Sequence, residues 1–204
     1  MEEGSNPKWE GKATANLVGS TPEQVWPLLE DFCNLNKYLT TLDTCYRVEG
    51  ELGKPGLIRY CGATVPSPSG GDEKLTLWCH EKLLAMDPIG RLMTYVVLDN
   101  NMGFKSYEST IKLLPIDGDD EPGCRIEWSF VTDPVEGNTQ EDLVNYLNSS
   151  VRTMAMNMEN ALKSLWKEIR KEKIPLVDNV DASFLGRICG CYSFDYFKVL
   201  LVLM

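Results

Sequence analysis

The sequence predicts an α+β fold in which a curved antiparallel sheet of about seven strands closes around one long C-terminal helix. Three observations carry that expectation. Segments of apolar/polar alternation, one near the N-terminus and a series between Cys45 and Thr132, are separated by turn residues. Two short helical stretches follow the first segment. The longest periodic stretch comes last, from Thr139 towards Pro175, with apolar residues three and four apart.

Taken in order, Trp9, Gly11, Ala13, Ala15 and Leu17 alternate with Glu10, Lys12, Thr14 and Asn16, the pattern of a half-buried strand. Thr21-Pro22-Glu23-Gln24 then reads as a helix start, with threonine at the N-cap, proline at the first helical position and glutamine placed to reach back. Val25, Leu28, Leu29 and Phe32 give this helix an apolar stripe. Pro27 predicts a break or kink, giving two short helices rather than one long one, with the second piece over 34–42. Strands are predicted over 45–50, 56–65, 73–84, 91–98, 105–114 and 124–132, and loops over 66–71 and 117–123. The long helix has Thr139 as N-cap, Glu141 and Asp142 in its first turn, and Lys167, Arg170, Lys171 and Lys173 near its end, all favourable to its dipole. Its stripe is Leu143, Leu147, Val151, Met154, Met158, Leu162, Leu165 and Ile169, and Pro175 ends it. Met154, Met156 and Met158 read as core, although flexible thioethers also suit an adaptable pocket.

Composition narrows the function classes. A chain of 204 residues, 43% hydrophobic and 25% charged, can bury one sizeable core. Its net charge of -10, with no Lys/Arg stripe, disfavours nucleic acid as a partner. The acidic start Met1-Glu2-Glu3-Gly4-Ser5 has no apolar signal region, so a cytoplasmic protein is expected. Seven scattered cysteines without a Cys-x-x-Cys pair suggest neither a disulfide framework nor a zinc site, and His80 is the one histidine. No metal and no cofactor are expected. The predicted organisation is an N-terminal tail over 1–7, a ligand-binding domain over 8–174 and an atypical hydrophobic tail over 175–204. The tail's final run, Phe197 to Met204, is shorter than the ~20 residues a bilayer-spanning helix needs, so membrane contact is not expected.

Within 75–83, alternation places Leu75, Leu77, Cys79, Glu81 and Leu83 on one face. A carboxylate on that apolar face must be neutralised or paired. Arg59, on the Leu57/Cys61 face of its own strand, is the candidate partner. A buried ion pair that fixes the sheet is an equally good reading. Tyr95 and Tyr107 can both point inward and offer a hydrogen-bonding tip. An inward Arg, Glu and two Tyr in an apolar pocket form the pattern of a ligand site for a small hydrophobic molecule. They could also shuttle a proton, with Glu81 as acid/base, Arg59 as anion clamp and Tyr107 as donor. His80 should point away from Glu81, to the surface.

Several ordered motifs resemble those of the plant lachrymatory-factor-synthase-like proteins, within the birch-pollen-allergen and polyketide-cyclase (SRPBCC, START-like) superfamily. They are Lys8-Trp9-x-Gly11-Lys12, Pro22-Glu23-Gln24-x-Trp26-x-Leu28-Leu29-x-Asp31-Phe32, Val48-Glu49-Gly50-Glu51, Arg59-Tyr60, Glu81-Lys82-Leu83 and Trp128-Ser129-Phe130 followed by Glu136-Gly137. The resemblance spans about Lys8 to Leu165 and implies a helix-grip fold. It also implies a cofactor-free lyase or isomerase that rearranges a small sulfenic acid, with Arg59 and Glu81 as the reactive pair, Tyr95 and Tyr107 as pocket tyrosines, and Trp128 as a pocket tryptophan. Val97 stands where that enzyme carries an aromatic and Ser150 where its long helix carries tryptophan, so the pocket wall differs. Leu77, Val97, Ser150 and Met154 join Tyr95 and Trp128 as expected ligand-lining residues. A non-catalytic carrier is the alternative. The abscisic acid receptors also resemble this chain, around Lys105-Ser106-Tyr107, and that reading would add a protein phosphatase as partner. Their gate is replaced by Gly62-Ala63-Thr64-Val65-Pro66, their latch by Met102-Gly103-Phe104, and their hormone-binding lysine by Leu39.

Overall fold

The computed structural model of the chain describes residues 7–67, 72–116 and 122–171, the last three by backbone alone. The centres of the two predicted loops, Ile169 as a core residue, the stop at Pro175, and the tail over 175–204 lie outside the described residues. Strand β1 (Trp9–Val18) leads into helix α1 (Pro22–Leu29) and a 3-10 segment (Phe32–Lys37). Six strands follow: β2 (Thr44–Glu49), β3 (Ile58–Pro66), β4 (Lys74–Asp87), β5 (Leu92–Asn100), β6 (Tyr107–Ile116) and β7 (Gly123–Thr132). Helix α2 (Gln140–Lys171) ends the described chain.

All seven strands form one antiparallel sheet in the order β1-β7-β6-β5-β4-β3-β2. The α+β helix-grip fold expected from the sequence is therefore present. Local hairpins join β2 to β7, whereas β1 crosses to the far edge to pair with β7. Alternation puts Ala13, Leu17, Leu83, Met93, Tyr95, Ile111, Leu113, Ile126, Trp128 and Phe130 inside. Helix α2 lays Leu147, Val151, Met154, Met158, Leu162 and Leu165 over them. Its main backbone approaches are to β1 and β7, while the 3-10 segment lies against β2 and β3.

Two details set the seat of α2. Gly11 has no side chain because none fits: a Cβ there would lie 2.6 Å from both a ring carbon of Phe130 and a methyl of Val144. At the helix start, Thr139 Oγ1 accepts from the Asp142 amide at 3.1 Å, and Asp142 Oδ2 accepts from the Thr139 amide at 2.8 Å, a reciprocal cap. Along the helix, Asn157 Nδ2 donates to Tyr38 O at 2.8 Å and Glu159 Oε1 accepts from the Val18 amide at 2.9 Å.

The structure corrects four sequence expectations. Helix α1 continues through Pro27 to Leu29, because Pro27 and its neighbours Trp26, Leu28 and Leu29 are all buried, and that packing outweighs one missing backbone bond. The second helical piece is 3-10 and begins earlier, at Phe32 rather than Asn34, ending at Lys37. Strand β4 runs on to Asp87 rather than ending at Leu84, with the register shift between Leu83 and Ala85 in its pairing with β5 breaking the alternation just where the expected strand stops. Met156 is 56% exposed, since two residues from Met154 is nearly the opposite side of a helix, so only Met154 and Met158 are core.

Candidate functional site

The β3/β4 register sets Arg59 directly opposite Glu81. Both side chains are buried on the concave face, Arg59 at 3% and Glu81 at 8% exposure. Arg59 Nε donates to Glu81 Oε2 at 2.6 Å, and a terminal guanidinium nitrogen lies 2.5 Å from the same oxygen. A further guanidinium N–H donates to the Phe32 carbonyl. The guanidinium also stacks on the Phe32 ring, 3.8 Å from its centroid, with Tyr95 at 5.4 Å. The cation is thus held on all sides by the 3-10 segment, β4 and β5.

Burial raises the Glu81 carboxyl to a pKa of about 7, against the downward pull of Arg59. Burial acts to lower the Arg59 value, but Cys61 and Glu81 beside it raise it well above the ordinary range, so the cation persists. Tyr95 and Tyr107 are both pushed up, first by burial, with the nearby Glu81 charge adding to it. Both remain neutral phenols. Tyr107 stacks on Phe130 with centroids 5.8 Å apart and meets Phe104 edge-on at 5.0 Å.

Ser109, on the same inward face as Tyr107, was not singled out by sequence reasoning. Its Oγ accepts from Trp128 Nε1 at 2.8 Å, donates to Ser129 O at 2.7 Å, and lies within reach of both phenols. Trp128, Tyr95 and Met154 all sit in the buried cluster. Ser150 is 1% exposed, and its hydroxyl has no hydrogen-bond partner among the described residues. Val97 lies opposite Glu81 on β5, and both Val97 and Leu77 are only half-buried despite facing inward. Arg59, Glu81 and Val97 therefore come together, Tyr95 and Tyr107 lie near them, and Leu77 marks a partly open end of the sheet.

His80 does face away from Glu81, on the convex side, where it meets Tyr60 and Trp78 edge-on at 5.5 Å each. The other residues that sequence reasoning passed over are cysteines. Cys45 is paired with Cys61, and Cys61 with Cys79, across three adjacent strands. The signal was present: with Arg59 opposite Glu81, stepping two residues along each antiparallel strand puts Cys61 opposite Cys79.

Comparison with known proteins agrees with this architecture. XoxI from Bacillus cereus is similar in structure, with 22% sequence identity and a TM-score of 0.55 over 76% of this chain and 98% of that one. Ginseng major latex-like protein 151 from Panax ginseng has 17% identity and a TM-score of 0.51, covering 75% of this chain and 97% of its own. Ara h 8.0201 has 16% identity and a TM-score of 0.56, covering 78% and 99%. At such identities these likenesses speak to the fold alone. Residues 14–165, from within β1 to the last buried leucine of α2, match the family described as polyketide cyclase / dehydrase and lipid transport, and the chain belongs to that family.

Proposed function

We propose that the chain binds a small hydrophobic molecule carrying one polar group on the concave face of the sheet, and that Glu81 moves a proton on it. The observation that carries this reading is the Arg59/Glu81 pair, buried on an apolar face with half-buried Val97 opposite Glu81. Family membership supports the hydrophobic ligand. The orphaned Ser150 hydroxyl supports a polar contact from the helix side, because a buried hydroxyl without a partner costs ~1–3 kcal/mol that a ligand atom would recover.

A carboxyl titrating near neutrality is matched to general acid/base work. In the proposed reaction, Glu81 gives or takes the proton, Arg59 steadies the negative charge that develops, and the neutral Tyr107 phenol donates a hydrogen bond. This is cofactor-free lyase or isomerase chemistry, of the kind implied by the resemblance to lachrymatory-factor-synthase-like proteins. Tyr95, Trp128, Val97, Leu77 and Met154 would supply the apolar contact.

A second reading, a non-catalytic carrier, is favoured by one specific observation. Arg59 is already engaged by Glu81, by the Phe32 carbonyl and by the Phe32 ring, which suits a structural ion pair.

The two readings separate experimentally. Native mass spectrometry of the purified full-length chain is expected to find a co-purifying apolar molecule, and an empty protein that also fails to take up fatty-acid or terpenoid probes counts against both. Turnover of a small sulfenic acid generated in situ is expected to vanish in Glu81→Gln while probe affinity survives. Unchanged turnover removes the acid/base role and leaves the carrier.

A further inference from the structure

The thiols on the inward face of β2, β3 and β4 are not used by the proposed ligand chemistry. Cys45, Cys61 and Cys79 stand in register, each directly opposite the next. Cys45 Sγ and Cys61 Sγ are 3.5 Å apart, and Cys61 Sγ donates to Glu81 Oε2 at 3.7 Å. Cys61 and Cys79 are buried, whereas Cys45, on the edge strand, is half-exposed.

We propose that Cys45 and Cys61 form a dithiol site that a hydroperoxide oxidises to a reversible disulfide. Directly opposite residues on antiparallel strands have Cα atoms roughly 4.5–5.5 Å apart, inside the roughly 4.4–6.8 Å that a disulfide bridges. From 3.5 Å the two sulfurs need close by only about 1.5 Å to reach bonding distance. The buried thiol is also the more acidic one. Hydrogen bonds from Cys45 and Cys79 pull Cys61 below the ordinary thiol range, with Arg59 adding to the effect, while Cys45 and Cys79 are pushed up.

The reaction balances in two steps. The Cys45 thiol, which a peroxide reaches from solvent, passes its proton to the Cys61 sulfur 3.5 Å away; as a thiolate it attacks the O–O bond, keeps one oxygen as a sulfenic acid, and releases the other as water or alcohol. The Cys61 sulfur then attacks the Cys45 sulfur and displaces its hydroxyl, which leaves as water with the Cys61 proton. The thiol pair is oxidised by two electrons and the peroxide is reduced by two. The product ties edge strand β2 to β3 and withdraws the Cys61 hydrogen bond from Glu81.

The test uses the full-length protein, reduced, freed of reductant and exposed to a small excess of hydrogen peroxide at neutral pH. Trypsin, cutting after Arg47, Arg59, Lys74 and Lys82, places the three thiols on separate peptides. Mass spectrometry of the unreduced digest is expected to find the Cys45 and Cys61 peptides joined, with two of the seven thiols lost to titration and both restored by dithiothreitol. Cys79→Ser should keep the link, and Cys45→Ser should abolish it. The proposal is overturned if Cys45 proceeds unlinked to sulfinic acid, if it joins another cysteine such as Cys189 or Cys191, or if the thiols stay inert where free glutathione is oxidised. Because the map is read on the unmodified chain, a variant that fails to fold does not blunt it.

Discussion

Replacing Glu81 by glutamine isolates the energetic cost of ionising a carboxyl on this apolar face. The folded value is about 7, against the ordinary 4.5. Between these pH values the folded state holds the proton and the unfolded state does not, so the contribution of Glu81 to stability is greatest below about 4.5 and falls as pH rises through 7. At 1.36 kcal/mol per pH unit, that interval amounts to a loss of about 3 kcal/mol. A carboxamide does not titrate, so Glu81→Gln should lack this slope. Below about 4.5 the protonated carboxyl and the carboxamide are both neutral partners for Arg59, so any difference between the two proteins there is an offset that does not change with pH. Urea unfolding of both proteins at intervals from pH 4 to pH 8 separates slope from offset. The unmodified chain should lose about 3 kcal/mol relative to the variant across that range. Parallel profiles would refute the argument, since they would mean that Arg59 fully offsets the desolvation of Glu81.

The packing yields three further expectations. Ser109→Ala strands Trp128 Nε1 and the Ser129 carbonyl and should destabilise by ~1–3 kcal/mol in denaturant titrations, whereas a role confined to solvent contacts would leave the midpoint unchanged. Gly11→Ala drives a methyl into Phe130 and Val144 and should cost ~1–3 kcal/mol, measured as a fall in Tm, with an unshifted Tm showing that α2 can back away freely. Thr139→Ala removes the oxygen that accepts from the Asp142 amide and should cost ~1 kcal/mol, while amide exchange that speeds up only in the first turn of α2 would locate the loss there.

The fold was legible because period two and period 3.6 are one-dimensional signals. Trp9 to Leu17 and Tyr107 to Leu113 state their buried faces outright, and the α2 stripe does the same. Register is not such a signal. Arg59 and Glu81 could be paired because opposite charges on apolar faces need each other. The cysteine ladder follows from the same alignment, yet Cys45, Cys61 and Cys79 are scattered in sequence and become neighbours only when two hairpins close. Phe32 shows the other limit. Its burial was readable from the apolar stripe, but it opens the 3-10 segment rather than belonging to the first helix, and its ring under the Arg59 guanidinium depends on how that segment docks against β2 and β3. Pro27 is a local rule overruled by tertiary burial, and the β4 pairing irregularities are departures that no alternation count can anticipate.

The placement of β1 bears on the order of folding. Among the described residues, β1 has its only sheet partner in β7, so Trp9 waits for Thr132, whereas β2 to β7 pair through successive hairpins. The loop-closure entropy of that last pairing is the largest in the sheet, and its reward arrives late. On the ribosome, β1 emerges with its apolar face uncovered and must stay so until β7 and α2 follow, with α1 the nearest cover in sequence. Pulse-labelled hydrogen exchange should therefore find the β4/β5 amides protected before those of β1, and the β1/β7 seam is where a destabilised chain would open first.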